Sequence, residues 1–99
     1  METFRFAAPV IYWRGPAPHL FARIPEPTSG AIAVAGHGLS YGWGCIPVRA
    51  RIAGVEFSTA LIPKDGVYLL PLKFAVRRPL ALEQGDEVEV EMTLGGTGG

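Results

Sequence analysis

The segment Glu87-Val88-Glu89-Val90-Glu91-Met92-Thr93-Leu94 decides the fold class of this chain. Apolar and polar side chains alternate along it, which is the period of a strand with one face on a core and the other in water. Residues 47–53 alternate in the same way, with Val48, Ala50 and Ile52 on the predicted inner face. The sequence therefore predicts a mainly β protein whose strands share one apolar interior.

Two turn signals connect residues 47–53 to further predicted strands at residues 55–62 and 67–72. Ala53-Gly54 predicts a tight connection. Lys64-Asp65-Gly66 contains Asp-Gly, which favours a hairpin because glycine readily adopts a positive φ. These three strands are expected to form an antiparallel meander.

Two more strands and two short helices complete the prediction. We expect Ser29 or Thr28 to cap the first helix, although Ile32 and Val34 of the same segment also fit a strand. The second helix ends at Pro79, because the residue before a proline is pushed out of the helical region. Short strands and helices in this arrangement indicate a small closed or nearly closed barrel, since closure removes exposed sheet edges. The predicted spans are residues 2–8 and 19–24 for the strands and residues 29–35 and 73–78 for the helices.

Length and composition bound the class of protein. The chain has 99 residues, 48% of them hydrophobic and 18% charged, which predicts one folded domain over residues 1–94 and a flexible glycine-rich tail over residues 95–99. Nine basic and nine acidic residues give zero net charge, which argues against nucleic acid as a partner. The single cysteine and the lack of an apolar leader or a spanning segment indicate a cytoplasmic protein that binds no membrane.

Two stretches of the sequence resemble a known family. Tyr41-Gly42-Trp43-Gly44-Cys45-Ile46-Pro47-Val48 and Pro63-Lys64-Asp65-Gly66-Val67-Tyr68-Leu69-Leu70-Pro71-Leu72-Lys73 are similar to the bacterial domain-of-unknown-function family 1905, over residues 2–94. The resemblance implies a six- or seven-stranded double-split β-barrel with one or two short helices, a superfold shared with AbrB-type transcription factors. Family members often carry a second, OmdA-like domain. We expect this domain to be absent here or to be supplied by another chain. No activity follows from the resemblance, since fold does not specify function.

The sequence contains no catalytic or metal-binding signature. Cys45 with His37 or His19 is the candidate nucleophile and base, and the competing interpretation places Cys45 in a small apolar slot. Two histidines and one cysteine do not match a zinc-site spacing, and no glycine-rich phosphate loop is present, so no metal and no cofactor are predicted. The glutamates of residues 87–91 are interpreted as solvent-facing, opposite arginines of residues 49–51.

The remaining candidate is a binding surface. Aromatic side chains flanked by glycines supply apolar rings beside polar groups, a composition enriched at binding sites. Basic side chains around the predicted hairpin and second helix would favour a small aromatic or anionic ligand. The competing interpretation is that the rings fill the end of the barrel and the cations only solvate its surface. The predicted ligand-binding residues are Tyr41, Trp43, Lys64, Lys73 and Arg77.

Three functions are compatible with these features. The first is a non-enzymatic module that binds a small ligand or a protein. The second is an AbrB-like DNA-binding protein, supported by the run from Pro71 through Arg77-Arg78 to Gly85-Asp86 and opposed by zero net charge. The third is a small enzyme with a pocket near Cys45. A homodimer formed by pairing of edge strands is also compatible with the sequence.

Overall fold

The computed structural model describes residues 3–14 and 18–95 of the chain. Six strands and two short helices, joined by turns and loops, lie within these residues. The strands close into an antiparallel barrel in the order β1-β2-β5-β4-β3-β6, which confirms the predicted small, mainly β barrel. The strands are β1 (Thr3–Arg14), β2 (Pro18–Arg23), β3 (Ile46–Ile52), β4 (Val55–Lys64), β5 (Val67–Pro71) and β6 (Glu87–Leu94), and the helices are α1 (Glu26–Ala35) and α2 (Phe74–Leu80).

The barrel divides into two halves because two long strands change partners along their length. Strand β1 pairs with β6 through residues 3–9 and with β2 through residues 10–14. Strand β4 pairs with β3 through residues 55–61 and with β5 through residues 62–64. We call the half around β6 and β3 the first half-barrel and the half around β2 and β5 the second half-barrel.

The prediction that the first strand stops near Ala8 is wrong, because β1 continues to Arg14. Pro9 lies opposite Glu87, where β1 leaves β6 for β2. The N–H that a proline lacks is therefore missing at the point where the hydrogen-bond ladder changes partner, so the strand passes through it. Glu2, the first residue of the predicted strand, lies outside the described residues.

The inner faces of both half-barrels form one apolar core. The alternation read from the sequence is confirmed, since Val48, Ala50 and Ile52 are buried, as are the apolar side chains of β6. Residues from both helices complete this core, with Ile32 from α1 and Val76 from α2 fully buried. The predicted meander is also confirmed, because β3, β4 and β5 are antiparallel neighbours.

Helix α1 begins at Glu26, three residues before the predicted start. Pro27 lies in its first turn, where the missing N–H of a proline costs no helical hydrogen bond. Ser29 is therefore not the cap: it is buried inside the helix, and no side chain caps the helix start. Its hydroxyl donates to the Ile24 carbonyl at 3.1 Å and accepts from the Tyr68 N–H at 3.0 Å, so it joins α1 to β5.

Helix α2 begins at Phe74 and runs past Pro79 to Leu80, so the prediction that Pro79 ends it is wrong. A proline in the last turn removes one hydrogen bond, and the helix ends where Ala81 adopts a left-handed conformation with φ of 51°. The Leu82 N–H then donates to the Arg77 carbonyl at 3.0 Å, so this carbonyl near the C-terminal end of the helix has a hydrogen-bond partner.

Both predicted hairpin turns are confirmed. Ala53 and Gly54 between β3 and β4 have positive φ, as do Asp65 and Gly66 between β4 and β5. Positive φ at both central residues is the signature of a type I′ turn, whose twist matches that of the flanking strands.

The Gly95 N–H donates to the Pro47 carbonyl at 2.6 Å, whereas the rest of the predicted flexible tail lies outside the described residues.

Within the described part of the chain, neither helix has the length and apolar character needed to cross a membrane.

Candidate functional site

The outer face of the second half-barrel is apolar, although an outer barrel face normally meets water. Phe21, Val67 and Leu69 lie on it and are only 3%, 4% and 2% exposed. They form a cluster separate from the barrel core, while the alternate residue Leu70 belongs to the core. We call this the outer cluster, and its half-buried members are Ile11, Trp13 and Ile62.

A groove of about 410 Å³ lies between the outer cluster and the start of α2. Phe21 and Ile62 contribute to it from the barrel wall, and Phe74 from the helix. The Phe74 side chain is 52% exposed, so one side of the groove presents an uncovered aromatic ring. The complete lining is His19, Phe21, Ile62, Pro71, Leu72, Lys73, Phe74 and Arg77.

The charges in this groove have one sign. Lys73 and Arg77 line it, and no carboxylate is among the lining residues that the structure describes. The guanidinium groups of Arg77 and Arg78 lie 5.9 and 5.5 Å from the centre of the Phe74 ring, within the range of cation–π attraction. The groove therefore combines an apolar surface with a cationic edge.

Lys73 and Arg77, two of the predicted ligand-binding residues, are thus brought together by α2. Lys73 is the residue before the helix, and Arg77 follows one turn later on the same side. Lys64, a third predicted residue, lies at the end of β4 and does not line the groove. Its ammonium nitrogen is 4.6 Å from the Trp13 ring centre and 3.7 Å from Asp65 Oδ2.

Tyr41 and Trp43, the other two predicted residues, lie on the segment between α1 and β3 and do not line the groove. The Tyr41 N–H donates to the Cys45 carbonyl at 2.9 Å, and Gly42 and Gly44 adopt positive φ. The Tyr41 side chain is 57% exposed and that of Trp43 is 95% exposed. Their role in binding stays a prediction.

Sequence reasoning missed the apolar part of the groove, contributed by Phe21, Ile62 and Phe74. One signal was present in the run Val67-Tyr68-Leu69-Leu70-Pro71, which has apolar residues at both even and odd positions. A strand of this kind needs cover on both faces. It indicates that the outer face of β5 is buried, but not which residues cover it.

The described residues give no support for a nucleophile or a metal at Cys45. The cysteine is half-buried directly before β3, and the side-chain hydrogen bonds among the described residues include none from it to a histidine. No group of three or more potential metal ligands occurs within the described ranges. Catalysis near Cys45 therefore stays a prediction without a partner residue.

A second depression, of about 230 Å³, lies on the first half-barrel and is lined by Arg49, Arg51, Glu56 and Glu91, among others. Its charges neutralise each other: Arg51 is 3.1 Å from Glu56 and 4.0 Å from Glu91, while Arg49 is 3.9 Å from Glu56. Of the predicted cross-strand pairs, Arg51 does lie opposite Glu91, whereas Arg49 lies opposite Thr93. This depression is a weaker binding candidate than the groove, since its ions are already paired.

Comparison with known proteins identifies a family for this chain. The sequence model of one family, described as "Domain of unknown function (DUF1905)", matches residues 6–92, which include most of β1 and β6 and everything between them. No curated protein matches the chain. The match covers the great majority of the sequence, including every residue that lines the groove. The chain therefore belongs to the DUF1905 family of domains of unknown function.

Proposed function

We propose that this chain is a non-enzymatic binding module that holds a small ligand with a flat apolar body in the groove between Phe21 and Phe74. The observation that carries the proposal is the groove itself, an apolar hollow on the outside of a barrel whose interior is already filled. An aromatic ring with half of its surface exposed at such a place favours a ligand that covers it.

The size of the groove favours a small molecule over a protein. Its volume of about 410 Å³ falls in the usual range of small-molecule sites, roughly 300–1,000 Å³. A stable protein partner would need to cover about 800 Å² of this chain, far more than the groove offers. We therefore assign the site to a compact ligand of about one or two rings.

Binding would draw its free energy mainly from burial of apolar surface. The Phe21 ring packs against Trp13, with ring centres 5.6 Å apart. The Phe74 ring lies beside the guanidinium groups of Arg77 and Arg78. At about 25 cal/mol per Å², each ~100 Å² of apolar surface removed from water contributes roughly 2.5 kcal/mol. A preformed groove of this kind needs little ordering when the ligand enters.

An NMR titration of the full chain with 2-naphthol tests the proposal. The expected amide shifts are confined to residues 19–21, 62 and 71–77, and Phe74→Ala should weaken binding at least fivefold. Trp43→Ala is the matched control, because it removes an aromatic ring that lies outside the groove. Shifts centred on residues 39–45, or loss of binding in Trp43→Ala alone, would move the site to that segment and overturn the proposal, as would the absence of any saturable shift.

A further inference from the structure

The cations of this protein are distributed unequally between paired and unpaired positions. Arg5, Arg49, Arg51 and Lys64 each lie within 4.0 Å of a carboxylate oxygen. In the described part of the chain, five cations have no such partner: Arg14, Arg23, Lys73, Arg77 and Arg78. Three of these five lie on α2 or on the residue before it, and two of the three, Lys73 and Arg77, line the groove.

Arg77 is the most constrained of the three. Its side chain lies against Phe74, and its Nε atom is buried without a hydrogen-bond partner among the described residues. A buried donor that finds no acceptor costs roughly 1–3 kcal/mol, and more when the group is charged. A partly desolvated guanidinium with no carboxylate near it therefore attracts an anion more strongly than a fully hydrated one does.

We infer that the groove selects an aromatic carboxylate, with the ring between Phe21 and Phe74 and the carboxylate toward Arg77 and Lys73. This inference rests on the proposed function, since it specifies the ligand of the same site. The planar guanidinium presents a fork of donors that matches the two oxygens of a carboxylate. Lys73 adds a second positive charge at the same edge, and no carboxylate in the described lining competes with the ligand.

A carboxylate fits this edge better than a neutral polar group does. A neutral hydroxyl would leave the positive charge of Arg77 uncompensated. A single delocalised negative charge on a flat ring satisfies both parts of the lining.

Calorimetric titration with three probes of matched shape tests the inference: 2-naphthoate, 2-naphthol and 2-naphthylmethylammonium. We expect 2-naphthoate to bind at least tenfold more tightly than 2-naphthol, and the ammonium probe to bind more weakly than either. Arg77→Gln should reduce the preference for naphthoate over naphthol to less than threefold, because it removes the charge that distinguishes the two probes. Lys73→Gln should reduce the preference by a smaller factor.

Arg51→Gln is the matched control, because it removes an arginine of the first half-barrel that does not line the groove. If it reduces the preference as much as Arg77→Gln does, general surface charge explains the selectivity and the inference is wrong. Equal binding of naphthoate and naphthol would also overturn it but leave the proposed function intact. Failure of all three probes to bind would overturn both. Should Arg77→Gln not fold, Arg77→Lys keeps the charge without the fork and should retain only part of the preference.

Discussion

The two half-barrels share one interior but have opposite exteriors. On the first half-barrel, the outward side chains are charged and joined in ion pairs, such as Arg5 with Glu91 at 2.8 Å. On the second half-barrel, the outward side chains of Phe21, Val67 and Leu69 are apolar and pack into the outer cluster. The same strands β1 and β4 contribute to both exteriors, so the change from polar to apolar occurs within single strands.

This difference separates the requirements of folding from those of binding. A barrel needs only its inner face to be apolar, and the first half-barrel satisfies that requirement with a polar exterior. The second half-barrel carries a further apolar layer, the outer cluster, and the groove beside it is also lined by Phe74, which is 52% exposed. The excess apolar surface lies where we place the ligand.

The largest expected effect compares two neighbouring residues of β4 that point to opposite faces. Leu61 is fully buried in the core, whereas Ile62 is half-buried in the outer cluster. Leu61→Ala should lower the free energy of unfolding by about 2–5 kcal/mol, since it opens a cavity. Ile62→Ala should lower it by only about 1 kcal/mol but weaken binding of 2-naphthol. Urea denaturation and the NMR titration measure both, and equal losses of stability would show that the outer cluster is a second core rather than a binding surface.

A smaller effect concerns the hydroxyl that joins α1 to the second half-barrel. Ser29→Ala leaves the Tyr68 N–H without its acceptor, so the free energy of unfolding should fall by about 1–3 kcal/mol. Thr28→Ala is the neighbouring control and should change it by less than about 0.5 kcal/mol, since among the described residues Thr28 neither caps the helix nor makes a side-chain hydrogen bond. Thermal or urea unfolding of the pair measures both values. A larger loss in Thr28→Ala would restore the helix cap predicted from the sequence.

The first half-barrel is predictable from its sequence and the groove is not, for a physical reason. In β3 and β6 successive residues alternate between the core and the outer face, so the local periodicity of the sequence is enough to predict both strands. The apolar lining of the groove comes from four separate elements, β2, β4, β5 and α2, which contribute Phe21, Ile62, Pro71 and Phe74. Only closure of the barrel brings these elements together, and no local pattern encodes that neighbourhood.

The cationic edge was predictable because it is local. Lys73 and Arg77 are four positions apart at the start of one short helix, and this spacing places side chains on one face. The prediction of Tyr41 and Trp43 rests on local composition, which does not determine where a segment lies on the barrel. The predictions made from Pro79 and Ser29 are wrong because each residue has another role. Pro79 lies within the last turn of α2, and the Ser29 hydroxyl makes a buried hydrogen bond.

The two hairpin turns extend the comparison, since one belongs to each half-barrel. Asp65 begins the β4–β5 turn and tolerates a positive φ, whereas Ala53 holds the same conformation in the β3–β4 turn without a polar side chain to favour it. Ala53→Asn should raise the free energy of unfolding by about 0.5–1 kcal/mol, because asparagine favours the first position of a type I′ turn. Asp65→Ala should lower it by a similar amount. Urea midpoints of the two variants measure this, and no change in Ala53→Asn would mean that the turn contributes no strain.

The smallest expected effect is the one that would test the polar exterior most directly. Arg5 and Glu91 form the shortest ion pair among the described residues, yet the Arg5 side chain is mostly exposed to water. A double-mutant cycle of Arg5→Ala and Glu91→Ala should give a coupling of only about 0.2–1 kcal/mol. The coupling should shrink as salt rises from about 0.01 to 1 M, because the Debye length falls from roughly 30 to 3 Å. A coupling above about 2 kcal/mol that resists salt would mean that the arginine–glutamate network is as structurally important as the outer cluster. The contrast between a solvated exterior and a binding exterior would then no longer hold.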